Sequence, residues 1–135
     1  SNAGPGMVFV GTLMGTEVRG LVASENAGAG VLVLQGLADF FDYEIYRTQG
    51  SVALGPGDGV VVSLQGSVTL TNGRSDDNQG SGYAIQAGCS AVLDSVSATG
   101  NGAWGLHQAC GQSMVEFGGM SNLEGNTSGA TNLCL

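Results

Sequence analysis

Asn78-Gln79-Gly80-Ser81-Gly82-Tyr83-Ala84-Ile85 is a polar, glycine-rich turn that runs directly into a short apolar strand. The arrangement returns twice downstream. Gly100-Asn101-Gly102 leads into Ala103-Trp104-Gly105-Leu106, and Glu124-Gly125-Asn126 leads into Thr127-Ser128-Gly129. The turn asparagines thus recur at positions 78, 101 and 126, a nearly constant period. One such unit cannot bury its apolar face alone, whereas stacked copies bury a continuous core. The period therefore predicts an all-β solenoid.

Working outward, short apolar segments are expected as strands near 7–10, 17–22, 31–34, 41–46, 52–54, 60–64, 68–71, 83–87, 91–96, 104–108 and 114–117. Many alternate as a strand with one buried face does. Val31-Leu32-Val33-Leu34-Gln35-Gly36 resembles Val61-Val62-Ser63-Leu64-Gln65-Gly66, and the segments starting at Tyr83 and Trp104 occupy the same place. A second strand follows in each case, starting at Val68, Ala91 and Met114. Two or three short strands in roughly 22 residues describe one coil of a parallel β-helix, so the chain holds about five to six coils.

Composition agrees. Of 135 residues 25 are Gly and only 2 are Pro, with no Gly-X-Y period, so collagen is excluded. Apolar residues make up 42% and charged ones 10%, which argues for a packed core rather than disorder. No run combines helical apolar spacing with caps. Eleven acidic residues face three arginines (Arg19, Arg47, Arg74) and no lysine, a net charge of −8. That charge repels phosphate, so nucleic acid and anionic lipid are not expected as partners. No segment approaches a membrane span. The acidic, lysine-free surface suits a secreted or cell-surface protein. Ser1-Asn2-Ala3 reads as the scar of tag removal, leaving 4–135 as one domain excised from a longer protein.

Cys89, Cys110 and Cys134 follow one another at close to the repeat period, and no zinc pattern has that spacing. Two readings stay open: a ladder of buried thiols with Cys89 above Cys110, or a disulfide between coils, Cys110 with Cys134.

Residues 18–129 resemble the right-handed parallel β-helix repeats of the pectate-lyase-like superfamily. Ser24-Glu25-Asn26-Ala27-Gly28-Ala29-Gly30-Val31-Leu32-Val33 and the later Asn/Gly turns carry the likeness. It implies a scaffold used for many activities, among them lyases and hydrolases of acidic polysaccharide. Lyases of this kind place an Arg or Lys base beside acidic calcium ligands. Here Arg74, Asp76 and Asp77, with Asp94 one coil on, are the nearest match. The hydrolase pattern is broken at most of its positions: the chain has no lysine, and its one histidine sits in Leu106-His107-Gln108. The expectation is accordingly a non-catalytic module for adhesion, glycan contact or structural spacing, with a polysaccharide lyase or glycoside hydrolase fragment as the alternative.

Within the repeat, Leu37–Asp58 is irregular, and the coil from Gly30 to Asp58 is longer than its neighbours. Four of the chain's eight aromatics lie in Asp39–Arg47. Alternation places Phe41, Tyr43 and Ile45 on one face and Phe40, Asp42, Glu44 and Tyr46 on the other. The second set predicts a glycan-contact site, with rings for stacking and carboxylates for hydroxyls. The competing reading makes these rings a cover for the core. Asp76-Asp77-Asn78 and Gly57-Asp58-Gly59 offer hard oxygen ligands to calcium, but without a known loop spacing they read better as turns, and no cofactor is expected. His107 has no second metal ligand in sequence and reads as structural. Asn78, Asn101 and Asn126 are expected to stack as an amide ladder. No cap helix is visible, so the coil ends are expected to meet the rest of the parent protein or a second copy.

Overall fold

The computed structural model describes residues 3–53 and 55–133, with backbone only over 11–14. Among these residues there is no helix. The strands in chain order are β1 (Met7–Arg19), β2 (Val22–Ser24), β3 (Ala29–Phe41), β4 (Glu44–Tyr46), β5 (Asp58–Thr71), β6 (Arg74–Asp76), β7 (Tyr83–Ile85), β8 (Ser90–Asp94), β9 (Trp104–Gln108), β10 (Met114–Gly118) and β11 (Gly129–Leu133). Pairings between these strands are parallel throughout.

In the larger sheet β1, β3 and β5 lie side by side. The long β5 then pairs β7 at one end and β8 at the other, and β9 and β10 continue those two rows. The smaller sheet is β2-β4-β6, prolonged by single bridges from Arg74 to Ser97 and Ser97 to Asn122. One row of the large sheet runs Met7, Val31, Val60, Tyr83, Leu106. These positions follow at near-even intervals, the step from Val31 to Val60 being the longest, so each pass of the chain lays a strand on the one before.

Period-2 alternation decides which side chains meet inside. Val31, Val33, Val60, Val62, Tyr83, Ile85 and Leu106 form one buried strip, and Ala38, Phe40, Val68, Leu70, Ala91 and Leu93 another. Ala23, Ile45, Ser75 and Ala98 face them from the small sheet. Each large aliphatic side chain so buried contributes about 1.5–3 kcal/mol. Tyr43 and Tyr83 reach across this interior with their hydroxyls 2.7 Å apart. Tyr83 donates to the Ser97 carbonyl at 3.1 Å, so Tyr43 donates to Tyr83. Burial pushes both phenols well above their ordinary values.

The expected asparagine ladder is present. Asn78 donates from its backbone N (2.9 Å) and Nδ2 (3.0 Å) to Asn101 Oδ1, and Asn101 repeats both bonds to Asn126 Oδ1 at 2.9 Å. A column of glycines stands against it. Gly59, Gly82 and Gly105 each precede a core strand residue and lie within a Cβ's reach of the ladder amides of Asn78, Asn101 and Asn126. A Cβ on Gly82 would stand 2.6 Å from Ala98 Cβ and 2.9 Å from the Gly105 carbonyl oxygen. Only glycine lets the backbone approach this closely.

Several expectations need correction. Trp104 does not stack on Tyr83: Leu106 does, so that alignment is displaced by two residues. Met114 pairs Ser90, not Ala91. The strand expected at 52–54 is absent where described. Val52 and Ala53 form a turn closed by mutual backbone bonds of Ser51 and Gly55, and Leu54 lies outside the described residues. The long pass is confirmed, but its surplus is not in the aromatic segment. Asn78 and Asn101 each stand four residues before their glycine (Gly82, Gly105), whereas Thr48 stands eleven before Gly59, so the extra residues fall in the loop after Gln49. Cys89 is a free, buried thiol and Cys110 is exposed, so they form no buried ladder. The backbone bonds Gly88 to Gly111 and Cys89 to Met114, which sets the two cysteines out of step. Cys110 is disulfide-bonded. Its expected partner, Cys134, lies outside the described residues.

Candidate functional site

The small sheet and the corner that feeds it carry most of the predicted site. At that corner Asp42 takes a positive φ of 56°, which turns the chain and resets the alternation between β3 and β4. Phe40 and Tyr43 therefore both point inward. Phe40 is 1% exposed and makes edge-to-face contacts with Phe9 and Tyr43, ring centres 5.3 and 6.3 Å away. Phe40 is a core residue and cannot stack on a ligand. Asp42 and Glu44 are exposed and Tyr46 is half-buried, as expected of surface groups.

Register then joins two sets of residues that sequence kept apart. Glu44 pairs Arg74 and Tyr46 pairs Asp76 across β4 and β6. Arg74 lies 3.4 Å from the Glu44 carboxylate and 3.8 Å from that of Asp76. Asp76 accepts from the Thr99 backbone N at 2.9 Å and from its hydroxyl at 3.2 Å. The Arg47 guanidinium covers the Tyr46 ring at 4.9 Å and reaches Glu25 at 3.5 Å. Asn72 donates to Asp42 at 2.5 Å. Glu44, Tyr46, Arg47, Arg74, Asp76 and Asp77 surround one shallow hollow of ≈ 320 Å³. Asp94 lines neither this hollow nor the adjoining one at Asp42: it accepts from the Ser95 hydroxyl at 2.9 Å and lies against Gly118. The four-residue catalytic alternative is thus only three residues in one place. The exposed ion pairs here are worth at most about 1 kcal/mol each, so a ligand can exchange with them at low cost.

A second concavity was not foreseen. Asp58, Ser81 and Trp104 occupy the same position in successive passes, each just before a glycine of the close-packed column. Asp58 Oδ1 accepts from the Ser81 backbone N at 2.6 Å, and Ser81 Oγ accepts from the Trp104 backbone N at 3.3 Å. The Trp104 ring lies against Gly129, where a Cβ would stand 2.9 Å from it. With Pro56 from the inserted loop and His107 from β9, these residues line a groove of ≈ 490 Å³. Asp58 is 8% exposed, and that burial raises its pKa, with the Ser81 N–H and then His107 opposing the rise. Aligning the sequence on Gly59, Gly82 and Gly105, rather than on the asparagines, would have brought these three residues together.

The two runs weighed as calcium ligands and read as turns spend oxygens on turn contacts. The Asn78 amide belongs to the ladder and the Asp58 carboxylate holds Ser81. Among the described residues, no group of three or more His, Cys, Asp or Glu side chains converges on a common point. No family model, curated protein or solved structure matches the chain.

Proposed function

We propose that the chain is a right-handed parallel β-helix of five to six coils, of the pectate-lyase-like kind, acting as a non-catalytic secreted or cell-surface module. Its tasks on this reading are adhesion, glycan contact and rigid spacing. Parallel pairing at a recurring step in both sheets supports the coil reading. The observation that carries the non-catalytic part is the state of Arg74 and Asp76. Arg74 sits between two carboxylates and Asp76 is held by Thr99, so neither is poised as a base. Asp42, Glu44 and Tyr46 form the proposed glycan-contact surface, without Phe40. The outer edge of β1, unpaired among the described residues, is the natural place for a second copy, since such an edge is open to further pairing.

The alternative, a lyase or hydrolase fragment acting on acidic polysaccharide, draws on Arg74, Asp76 and Asp77 sharing one hollow. Incubation with uronic-acid polymers, with and without calcium, separates the two. Turnover abolished by Asp76→Ala and Asp77→Ala would replace the first reading by the second. Without turnover, glycan-array binding that Tyr46→Ala removes supports glycan contact, and a blank array leaves spacing.

A further inference from the structure

We propose that the groove between Asp58 and Trp104 is a binding site for an organic ammonium cation. This site is separate from the β4–β6 surface and does not depend on glycan contact there.

Three observations point to a cation. First, Asp58 is 8% exposed and keeps acceptor capacity that opens on the groove: Oδ1 holds Ser81, and Oδ2 accepts no hydrogen bond among the described residues. Second, the chain supplies no fixed positive charge to it. There is no lysine, and the three arginines serve elsewhere: Arg19 at Glu17 and Phe41, Arg47 at Glu25 and Tyr46, Arg74 at Glu44 and Asp76. The basic group facing Asp58 across the groove is the His107 imidazole. A carboxylate withdrawn from water without a counter-ion is costly, and a bound cation removes that cost. Third, the aromatic wall is tryptophan, the ring with the strongest attraction for cations.

The rest of the lining decides against a hydroxyl-rich ligand. Ala84, Ile85, Ala103 and Ala109 supply apolar wall, and the Gln86 Oε1 already accepts from the Ser63 hydroxyl at 2.6 Å. A sugar unit would bring several donors and acceptors to a wall with few partners, whereas the methyl or methylene body of an alkylammonium group suits it. Asp58 and Trp104 lie two strand spacings apart, about 10 Å, so a single small group can meet both side chains. The net charge of −8 draws cations toward the molecule. The same chemistry is offered by a free quaternary ammonium compound and by a lysine side chain of another protein.

Trp104 is the chain's one tryptophan, so its fluorescence reads the groove directly. The intact chain is titrated separately with choline, Nα-acetyl-lysine amide, the uncharged choline isostere 3,3-dimethylbutanol and methyl glucoside. A saturable change with choline or the lysine derivative, weakened about tenfold or more for the uncharged isostere and by Asp58→Asn, is expected. Tighter choline assigns a free quaternary ammonium, and a tighter lysine derivative assigns a side chain. The proposal is overturned by equal binding of the isostere, by saturation with the glucoside alone, or by no saturation with any probe. The isostere comparison uses the unmutated protein and stands even if Asp58→Asn fails to fold.

Discussion

The passes that carry Asn78, Asn101 and Asn126 and the pass that carries Thr48 occupy equivalent places in the stack but differ in completeness. In the first group Asn101 and Asn126 each receive two bonds from the pass before, and from Asn78 and Asn101 the turn to the close-packed glycine takes four residues. In the second, Thr48 gives only its backbone N–H to Asn78, at 3.0 Å, and its buried hydroxyl has no partner among the described residues. The added loop follows at once, and the pass resumes at a buried carboxylate. The regular passes leave no buried side-chain donor or acceptor without a partner among the described residues, and they supply most of the groove wall. The irregular one accepts an orphaned hydroxyl and a desolvated acid, and the groove lies beside it. Imperfect local satisfaction gathered beside a concavity is what a functional site looks like physically.

Breaking the regular side should cost most. Gly59→Ala puts a methyl group into the Ser75 hydroxyl and to within 2.7 Å of the Gly82 carbonyl oxygen. A loss of about 3 kcal/mol is expected in chemical denaturation, against no change for Gly4→Ala, where nothing lies within 4 Å. Next comes Asn101→Ala, which leaves the buried Asn78 backbone N–H unpaired and its Nδ2 with Ser75 Oγ alone, and should cost about 2 kcal/mol or more. A loss under about 0.5 kcal/mol in the same assay, the size of an ordinary surface substitution, would show the ladder to be ornamental.

On the irregular side the signs reverse. Asp58 has a raised folded-state pKa, so its contribution favours the fold while protonated. That contribution is complete below the unfolded aspartate value, about 3.9, and is lost as pH rises through the folded value. Asp58→Asn keeps an acceptor for Ser81 without the charge. It should therefore raise the melting temperature at pH 7 and give no gain near pH 3, and a gain independent of pH would contradict desolvation as the cause. The smallest effect is expected at Thr48. Thr48→Val replaces the orphaned hydroxyl by a methyl group of the same shape, and a gain of about 1 kcal/mol is expected in denaturant melts. A loss there would mean that the hydroxyl is satisfied by water.

Much of the stacking is legible in the residues and little of the site is. The Asn/Gly period places the ladder correctly because turn chemistry is local and its spacing is visible. Gln35-Gly36 and Gln65-Gly66 stay in step within β3 and β5, Gly36 pairing Gly66. Val31 nevertheless meets Val60 rather than Val61, because β5 carries one extra residue near Leu64, where φ is positive. Alternation misplaces Phe40 because it is counted along an unbroken strand, and the left-handed Asp42 interrupts the count. The union of Glu44 and Tyr46 with Arg74 and Asp76 depends on a step between passes that the inserted loop lengthens. The groove needs three passes in register before Asp58, Ser81 and Trp104 stand in line. No spacing within one pass announces it.

The asparagine ladder also has a sense of direction. Its donors, Thr48 N, Asn78 N and Nδ2, and Asn101 N and Nδ2, all lie one pass earlier in the chain than the oxygens they meet. The backbone bonds beside it run both ways: Gln79 N to Thr48 O, Gly102 N to Asn78 O and Thr127 N to Asn101 O point to the earlier pass, while Arg47 N to Asp76 O, Asp77 N to Thr99 O and Gly100 N to Gly125 O point to the later one. The side-chain amides thus form a row of dipoles aligned head to tail, flanked by backbone bonds of alternating sense. Aligned amides polarise one another. The polarity of this turn edge is therefore written by its asparagine side chains and not by its backbone.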